Sequence, residues 1–157
     1  LALAKEFGLS IEQMQRAVIG VKPVEHRLEI RNAGNITYID DSYNSNPVGS
    51  KMALDVLKNM EGQRIVMTPG MVELGCESYE LNKEFGMHMK NTCDIVILVG
   101  EKITKPIMDG LKEADFDSKN IYVVKNTNDG FKQVKKLSLN KQSYVLIEND
   151  LPDMYNE

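Results

Sequence analysis

The chain has 157 residues, 42% of them hydrophobic and 27% charged, with a net charge of -4. That length suits one domain with a core able to stand without disulfides or metal. The acidic balance offers no basic stripe for nucleic acid, and no apolar run approaches the ~18 residues of a membrane-spanning helix.

"LALAKEFGLSIEQMQRAVIG" carries helical periodicity from its first residue. Gly8 predicts the end of a first helix, and Ser10 to Gln13 is a capping-box start for a second, reaching about Val18. A chain opening inside a helical pattern reads as a piece of something longer. "GVKP" then breaks the pattern. "HRLEI" and "ITYID" alternate around "RNAGN", which predicts an antiparallel hairpin.

Helices and strands alternate from there. "PVGSKMALDVLKNM" is helical, with Met52, Leu54, Val56 and Leu57 expected on its inner side. "RIVMT" reads as a buried strand, and "SYELNKEFGMHMKNT" as a helix with Leu81, Phe85 and Met89 at i, i+4 spacing. "DIVILVG" is a continuous apolar run ended by Gly, as central parallel strands are. "KPIMDGLKEA", "IYVV", "DGFKQVKKL" and "YVLI" continue as helix, strand, helix, strand. The expected fold is α/β and Rossmann-like, with about six mostly parallel strands and an antiparallel N-terminal hairpin strand.

"TYIDDSYNSNP" holds the strongest candidate site. Asn46-Pro47 is a helix-start signal, so Asp40 to Ser45 lie between a strand's carboxyl end and a helix N-terminus, where open α/β sheets bind ligands. If Asn32 to Asn35 form the hairpin loop, Arg27 stands opposite Asp40 and His26 opposite Asp41. A guanidinium fork suits phosphate, and a carboxylate suits vicinal hydroxyls. The plain alternative is an edge-strand salt bridge with an Asx turn.

"TPGMVELG" predicts a second loop at the same edge, with Glu73 its only charge, placed either to meet a cationic amine or simply solvated. Glu148, Asn149 and Asp150 follow the last strand and either line a cleft or form an acidic tail. His26 and His88 have no partner at metal-ligand spacing, so no metal site is expected. GxGxxG, GxxxxGK[ST] and GxSxG are all absent. Met52, Met60, Met67, Met87 and Met89 read as core filler. Cys76 and Cys93 read as reduced thiols of a cytoplasmic protein, one beside a surface turn and one beside a helix end.

"HRLEI…YIDDSYNSNPVGSKMALDVL" together with "RIVMTPGMVELG" resembles the C-terminal domain of the Mur ligases, and within them the type that adds D-alanyl-D-alanine to UDP-N-acetylmuramoyl-tripeptide. The resemblance implies residues 1–22 as a helical linker from a preceding ATPase domain and 23–157 as the Rossmann-like C-terminal domain. It implies an ATP-dependent, ADP-forming amide ligase of peptidoglycan synthesis. ATP and Mg2+ would be held mainly by the central domain, and this fragment alone would be inactive. The implied partners are ATP, a UDP-N-acetylmuramoyl-peptide, a D-Ala-D-Ala-type amine, and the N-terminal and central domains of the same chain.

By the same resemblance Arg27 is the catalytic arginine that reaches the ATP phosphates. Asp41 faces the nucleotide ribose. Asn44 lies near nucleotide and dipeptide, with Asn46 and Glu73 on the substrate side. Two departures fall on the side assigned to the amine. Gly70 stands where a "GDMxELG" form has Asp, and "LIENDLPDMY" stands where a Lys-Gly-Ser segment is usual. The Asp-Asn-Pro-Arg element that selects diaminopimelate is absent. A receiver-type domain would need a phosphoacceptor Asp at a later strand end, yet "RIVMT" runs into Thr68-Pro69 and "DIVILVG" into Gly100. The remaining rival is a non-catalytic binding or regulatory module that keeps the ligase fold.

Overall fold

The computed structural model describes residues 2–21, 24–43 and 45–149. Two short helices, α1 (Ala2–Glu6) and α2 (Ile11–Ile19), come first. Ser10 and Gln13 form the reciprocal capping box: the Ser10 hydroxyl accepts from the Gln13 N–H at 3.3 Å, and the Gln13 side chain accepts from the Ser10 N–H at 2.8 Å. No described residue of either helix is buried, and Leu3, Phe7, Ile11, Val18 and Ile19 are exposed.

β1 (Glu29–Ala33) and β2 (Ile36–Asp41) form the antiparallel hairpin. Its register differs from the expected one by two residues: Glu29, not Arg27, faces Asp40. The reason is the turn. Gly34 at φ 63 allows a two-residue Gly34-Asn35 connection where a four-residue loop was expected, and a tight turn of that kind wants Gly at its first central position. Arg27 therefore lies before the strand.

Asn46 caps α3 (Pro47–Lys58), its side-chain oxygen accepting from the Gly49 N–H at 2.9 Å, with Pro47 in the first turn. Leu54 and Leu57 are buried and Val56 packs against them at the core's edge, but Met52 is 62% exposed, contrary to expectation. Ser50, Ala53, Leu54 and Leu57 make the inner stripe, and Met52 falls outside that i, i+3, i+4, i+7 set. β3 (Gln63–Thr68), α4 (Ser78–Met89), β4 (Ile95–Val99), α5 (Lys105–Glu113), β5 (Ile121–Val124), α6 (Thr127–Leu137) and β6 (Ser143–Glu148) follow as the alternation predicts. On α4, Phe85 and Met89 are fully buried and Leu81 packs beside them.

The six strands are ordered β1-β2-β6-β3-β4-β5, and every pair except the hairpin is parallel. Strand side chains alternate between two cores, as period 2 requires. Val66, Val96, Leu98 and Leu146 pack with Leu54, Phe85 and Ile107 of α3, α4 and α5. Ile65, Met67, Ile97 and Val145 pack with Val134 of α6 on the opposite face. Met67 and Met89 are core, whereas Met52 and Met87 are exposed, so the methionines divide between filler and surface. Cys93 is buried just beyond α4, where burial pushes its thiol up, and Cys76 is exposed. No helix among the described residues is long and apolar enough to cross a membrane.

Candidate functional site

β2, β6 and β3 are parallel neighbours, so their carboxyl ends lie along one edge and present Asp41, Glu148 and Thr68. Asn149, at φ 62, ties that edge together. Its backbone N–H donates to the Asp41 carbonyl at 3.3 Å, and its side-chain amide donates to the Gly70 carbonyl at 2.8 Å. The loops after all three strands are thereby held against one another.

The segment before β1 folds over this edge. His26 and Leu28 adopt φ 60 and φ 50, uncommon for residues with a Cβ and costly for bulky ones. Two hydrogen bonds tie the bend to the end of β2: the Leu28 N–H donates to Asp41 Oδ1 at 3.1 Å, and the Tyr43 N–H donates to the His26 carbonyl at 3.1 Å. They set the Arg27 guanidinium over the Tyr43 ring, 4.4 Å from its centroid.

Asp40 and Asp41 have different work. Asp40 is 5% exposed; burial opposes its charge, but hydrogen bonds from Ser42 (2.6 Å) and His26 (2.9 Å) outweigh that and hold its pKa below the ordinary value. His26, Glu29 and Asp40 lie close enough together to suggest a cation site. The Arg31 guanidinium already reaches both carboxylates, at 2.7 Å to Glu29 and 3.5 Å to Asp40. A divalent ion there would sit against a fixed positive charge, so these residues do not fit a metal. Arg31 is the ionic partner of Asp40 and His26 a hydrogen-bond partner; Arg27 is neither. Asp41 is half-buried, and burial raises its pKa, with the Leu28 N–H and the Arg27 charge offsetting part of the rise.

Glu148 is 1% exposed. Ser45 Oγ donates to its Oε1 at 2.6 Å and lies 2.6 Å from Ser50 Oγ. Burial, helped by the nearby Asp41 charge, pushes the Glu148 carboxyl up to about 7, against the pull of the Ser45 and Ser50 hydroxyls. Its Oε2 is buried and has no hydrogen-bond partner among the described residues. A cleft of about 200 Å³ is lined by Arg27, Asp41, Asn46, Gly49, Ser50 and Glu148.

Three residues singled out in the sequence, Arg27, Asp41 and Asn46, thus meet in one cleft. Asn44 lies outside the described residues, as does Asp150. Glu73 is exposed, at φ 61, in the loop after β3 on the same sheet edge, but it does not line this cleft. Sequence reasoning left Glu148 open and did not single out Ser50. The available signal was a carboxylate at the end of a buried strand, but its neighbours depended on the sheet order. The departure at Gly70 also has a local cause. At φ 89, with a Cβ position only 2.9 Å from Asn82 Oδ1, the site is shaped for glycine.

The sequence profile of the family described as "Mur ligase, glutamate ligase domain" matches residues 26–148. Over 103 residues the chain is 33% identical to the UDP-N-acetylmuramoyl-tripeptide--D-alanyl-D-alanine ligase of Escherichia coli (strain K12), covering 64% of this chain but 23% of that protein. Among solved structures it superposes on the MurF ligase of Thermotoga maritima in complex with ADP, with a TM-score of 0.72 and 24% identity over 96% of this chain and 33% of that one. MurF of Acinetobacter baumannii gives a TM-score of 0.77 at 19% identity over 94% of this chain and 32% of that one. The chain therefore spans about a quarter of that curated relative and a third of these structures, and its match to the structures is a match of fold. The profile covers most of the chain in sequence as well, and on that ground the chain belongs to the Mur ligase family as its glutamate ligase, or C-terminal, domain.

Proposed function

We propose that this chain is the C-terminal domain of an ATP-dependent, ADP-forming amide ligase of peptidoglycan precursor synthesis, acting in the cytoplasm. The intact enzyme joins a D-Ala-D-Ala-type amine to the carboxylate of a UDP-N-acetylmuramoyl-peptide. The observation that carries this reading is the cleft in which Arg27, Asp41 and Asn46 converge beside the start of α3. Those residues fit a nucleotide. Arg27 is exposed, held on its apolar side by Tyr43, with its N–H fork available to phosphate oxygens. Asp41 keeps acceptor capacity for ribose hydroxyls after taking one bond from Leu28. Asn46 spends its side-chain oxygen on the α3 cap and keeps its amide N–H groups for a ligand.

ATP, when bound, supplies the phosphoryl group that activates a carboxylate for attack by an amine. This chain's part is to close one wall, exclude water and fix charge, while Mg2+ belongs to the central domain, since the described acidic cluster does not suit it. Asn44 and Glu73 belong to the amine side. Residues 1–22 serve as the link to the central domain, whose surface would cover the exposed apolar side chains of α1 and α2.

The test is amine-dependent ADP formation by the intact protein with UDP-N-acetylmuramoyl-tripeptide and D-Ala-D-Ala. Turnover on the order of 1 s⁻¹ is expected from the intact protein and none from this chain alone. Absence of amine-dependent ADP formation in the intact protein would leave the non-catalytic module as the better reading.

A further inference from the structure

We propose that Glu148 is a catalytic residue of this cleft: its Oε2 receives the ammonium group of the incoming amine and takes its proton, freeing the nitrogen lone pair for attack. The inference rests on the ligase reading and adds a residue, a ligand group and a proton path to it.

The geometry assigns the two carboxylate oxygens separate tasks. Ser45 Oγ has a single proton and donates it to Oε1 at 2.6 Å. Behind Ser45 stands Ser50, 2.6 Å away, whose hydroxyl donates to Ser45 Oγ when Ser45 donates to Glu148. This relay occupies Oε1 and leaves Oε2 as the oxygen that a proton arriving from a ligand meets first. Oε2 is buried and without a partner among the described residues, and Glu148 lines the cleft. A buried acceptor left in this way calls for a donor from the ligand.

Charge selects the kind of donor. The charged side chains lining the cleft are Arg27, Asp41 and Glu148, so with both carboxyls ionised the cleft carries one excess negative charge. The other neighbours are uncharged: α3 brings Ser50, and the loop after β3 brings Met71, whose sulfur lies 3.4 Å from Ser50 Oγ. A hydroxyl would satisfy Oε2 and leave that excess; an ammonium group satisfies both. At about 200 Å³ the cleft admits only part of each ligand: an amine head group against Glu148, and the phosphate and ribose edge of a nucleotide against Arg27 and Asp41.

The proton step balances within the site. An N–H bond of the ammonium breaks, an O–H bond forms at Oε2, the nitrogen keeps the electron pair, and Glu148 becomes neutral. A carboxyl whose midpoint burial has brought to about 7 is matched to this task at neutral pH, where an ordinary carboxylate is too weak a base.

Two measurements test the proposal. In the intact protein, Glu148→Gln keeps the side chain's shape and should lower amine-dependent kcat by at least about 10²-fold. It should also abolish the acidic limb near 7 of the pH profile of kcat/KM for the amine, and leave the KM for ATP within about twofold. Glu148→Asp should restore a titrating limb. Retention of both the limb and the turnover by Glu148→Gln would overturn the proposal, as would a change confined to the ATP KM. In this chain, carboxyl-carbon NMR of Glu148 should show its midpoint falling when D-Ala-D-Ala is added and not when N-acetyl-D-Ala-D-Ala is added. Equal response to both probes, or to neither, would also overturn it. If the intact wild type forms no ADP, the ligase reading fails, and the NMR measurement still decides whether Glu148 holds an amine.

Discussion

Asp41 and Glu148 are register partners at the carboxyl ends of the adjacent parallel strands β2 and β6. They lie 107 positions apart in sequence, yet the charge on one raises the cost of charging the other. Each also has its own clamp: the Leu28 N–H on Asp41 and the Ser45 hydroxyl on Glu148.

That pairing predicts a pH dependence of stability. The folded-state pKa of Glu148, about 7, lies above its ordinary value of 4.5, so its protonated form is the one the fold favours. Its contribution is complete below about 4.5 and is lost as pH rises through about 7, a change on the order of 3 kcal/mol. Asp40, held low, works in the opposite sense only in more acidic solution, as pH falls below its ordinary 3.8. Urea unfolding at pH 5 and pH 8 should show the wild type more stable at pH 5, with much of that difference gone in Glu148→Gln. Equal pH dependence in both proteins would mean that Glu148 ionises freely.

The loop after β3 hangs on Asn82, which is 3% exposed. Its Oδ1 accepts from the Met71 N–H at 2.8 Å, and its amide donates to the Met71 and Ser78 carbonyls at 2.9 Å each. Asn82→Ala leaves these buried groups unpaired and should cost about 2–3 kcal/mol in chemical denaturation. Gly70→Asp, which restores the residue of the "GDMxELG" form, should destabilise by about 1–3 kcal/mol because of the positive φ and the Asn82 contact. A neutral or stabilising Gly70→Asp would show that the loop relaxes freely.

α4 and α5 approach so closely that a Cβ on Gly86 would collide with the Ile107 carbonyl, and one on Gly110 with the Lys83 carbonyl. Helix propensity alone would make Gly→Ala stabilising by up to about 1 kcal/mol. Overpacking against backbone reverses the sign, and each substitution should destabilise by about 1–3 kcal/mol. Because both act on one interface, the double variant should cost less than the sum. Denaturant midpoints of the two single variants and the pair are the measurement.

Arg27 is exposed and has Tyr43 beneath it, so Arg27→Ala should shift the melting temperature by no more than about 4 °C, the size of one exposed cation–π contact. In the intact protein the same change should lower turnover by about 10²- to 10³-fold, the usual effect of losing one preorganised donor. Arg27→Lys should not restore it, because one ammonium cannot replace the bidentate fork. Near-normal ligation by Arg27→Ala would reduce Arg27 to a stacking partner of Tyr43. A rescue by Lys would show that charge alone suffices.

The α2 and α3 caps, the strand–helix alternation and the hairpin were determined by the sequence alone, since Ser10–Gln13, Asn46-Pro47 and Gly34 act within a few residues of themselves. The hairpin register escaped it, because one glycine's φ decides between a tight turn and a longer loop and shifts every facing pair. The cleft was half legible. Arg27, Asp41 and Asn46 come from one contiguous stretch, whereas Glu148 joins them because β6, last in sequence, inserts between β2 and β3. "YVLI" is apolar enough for a place inside the sheet, but apolarity specifies burial and not neighbours. Only the packing of helices on both faces decided which strands flank β6, and with that which carboxylate stands beside Asp41.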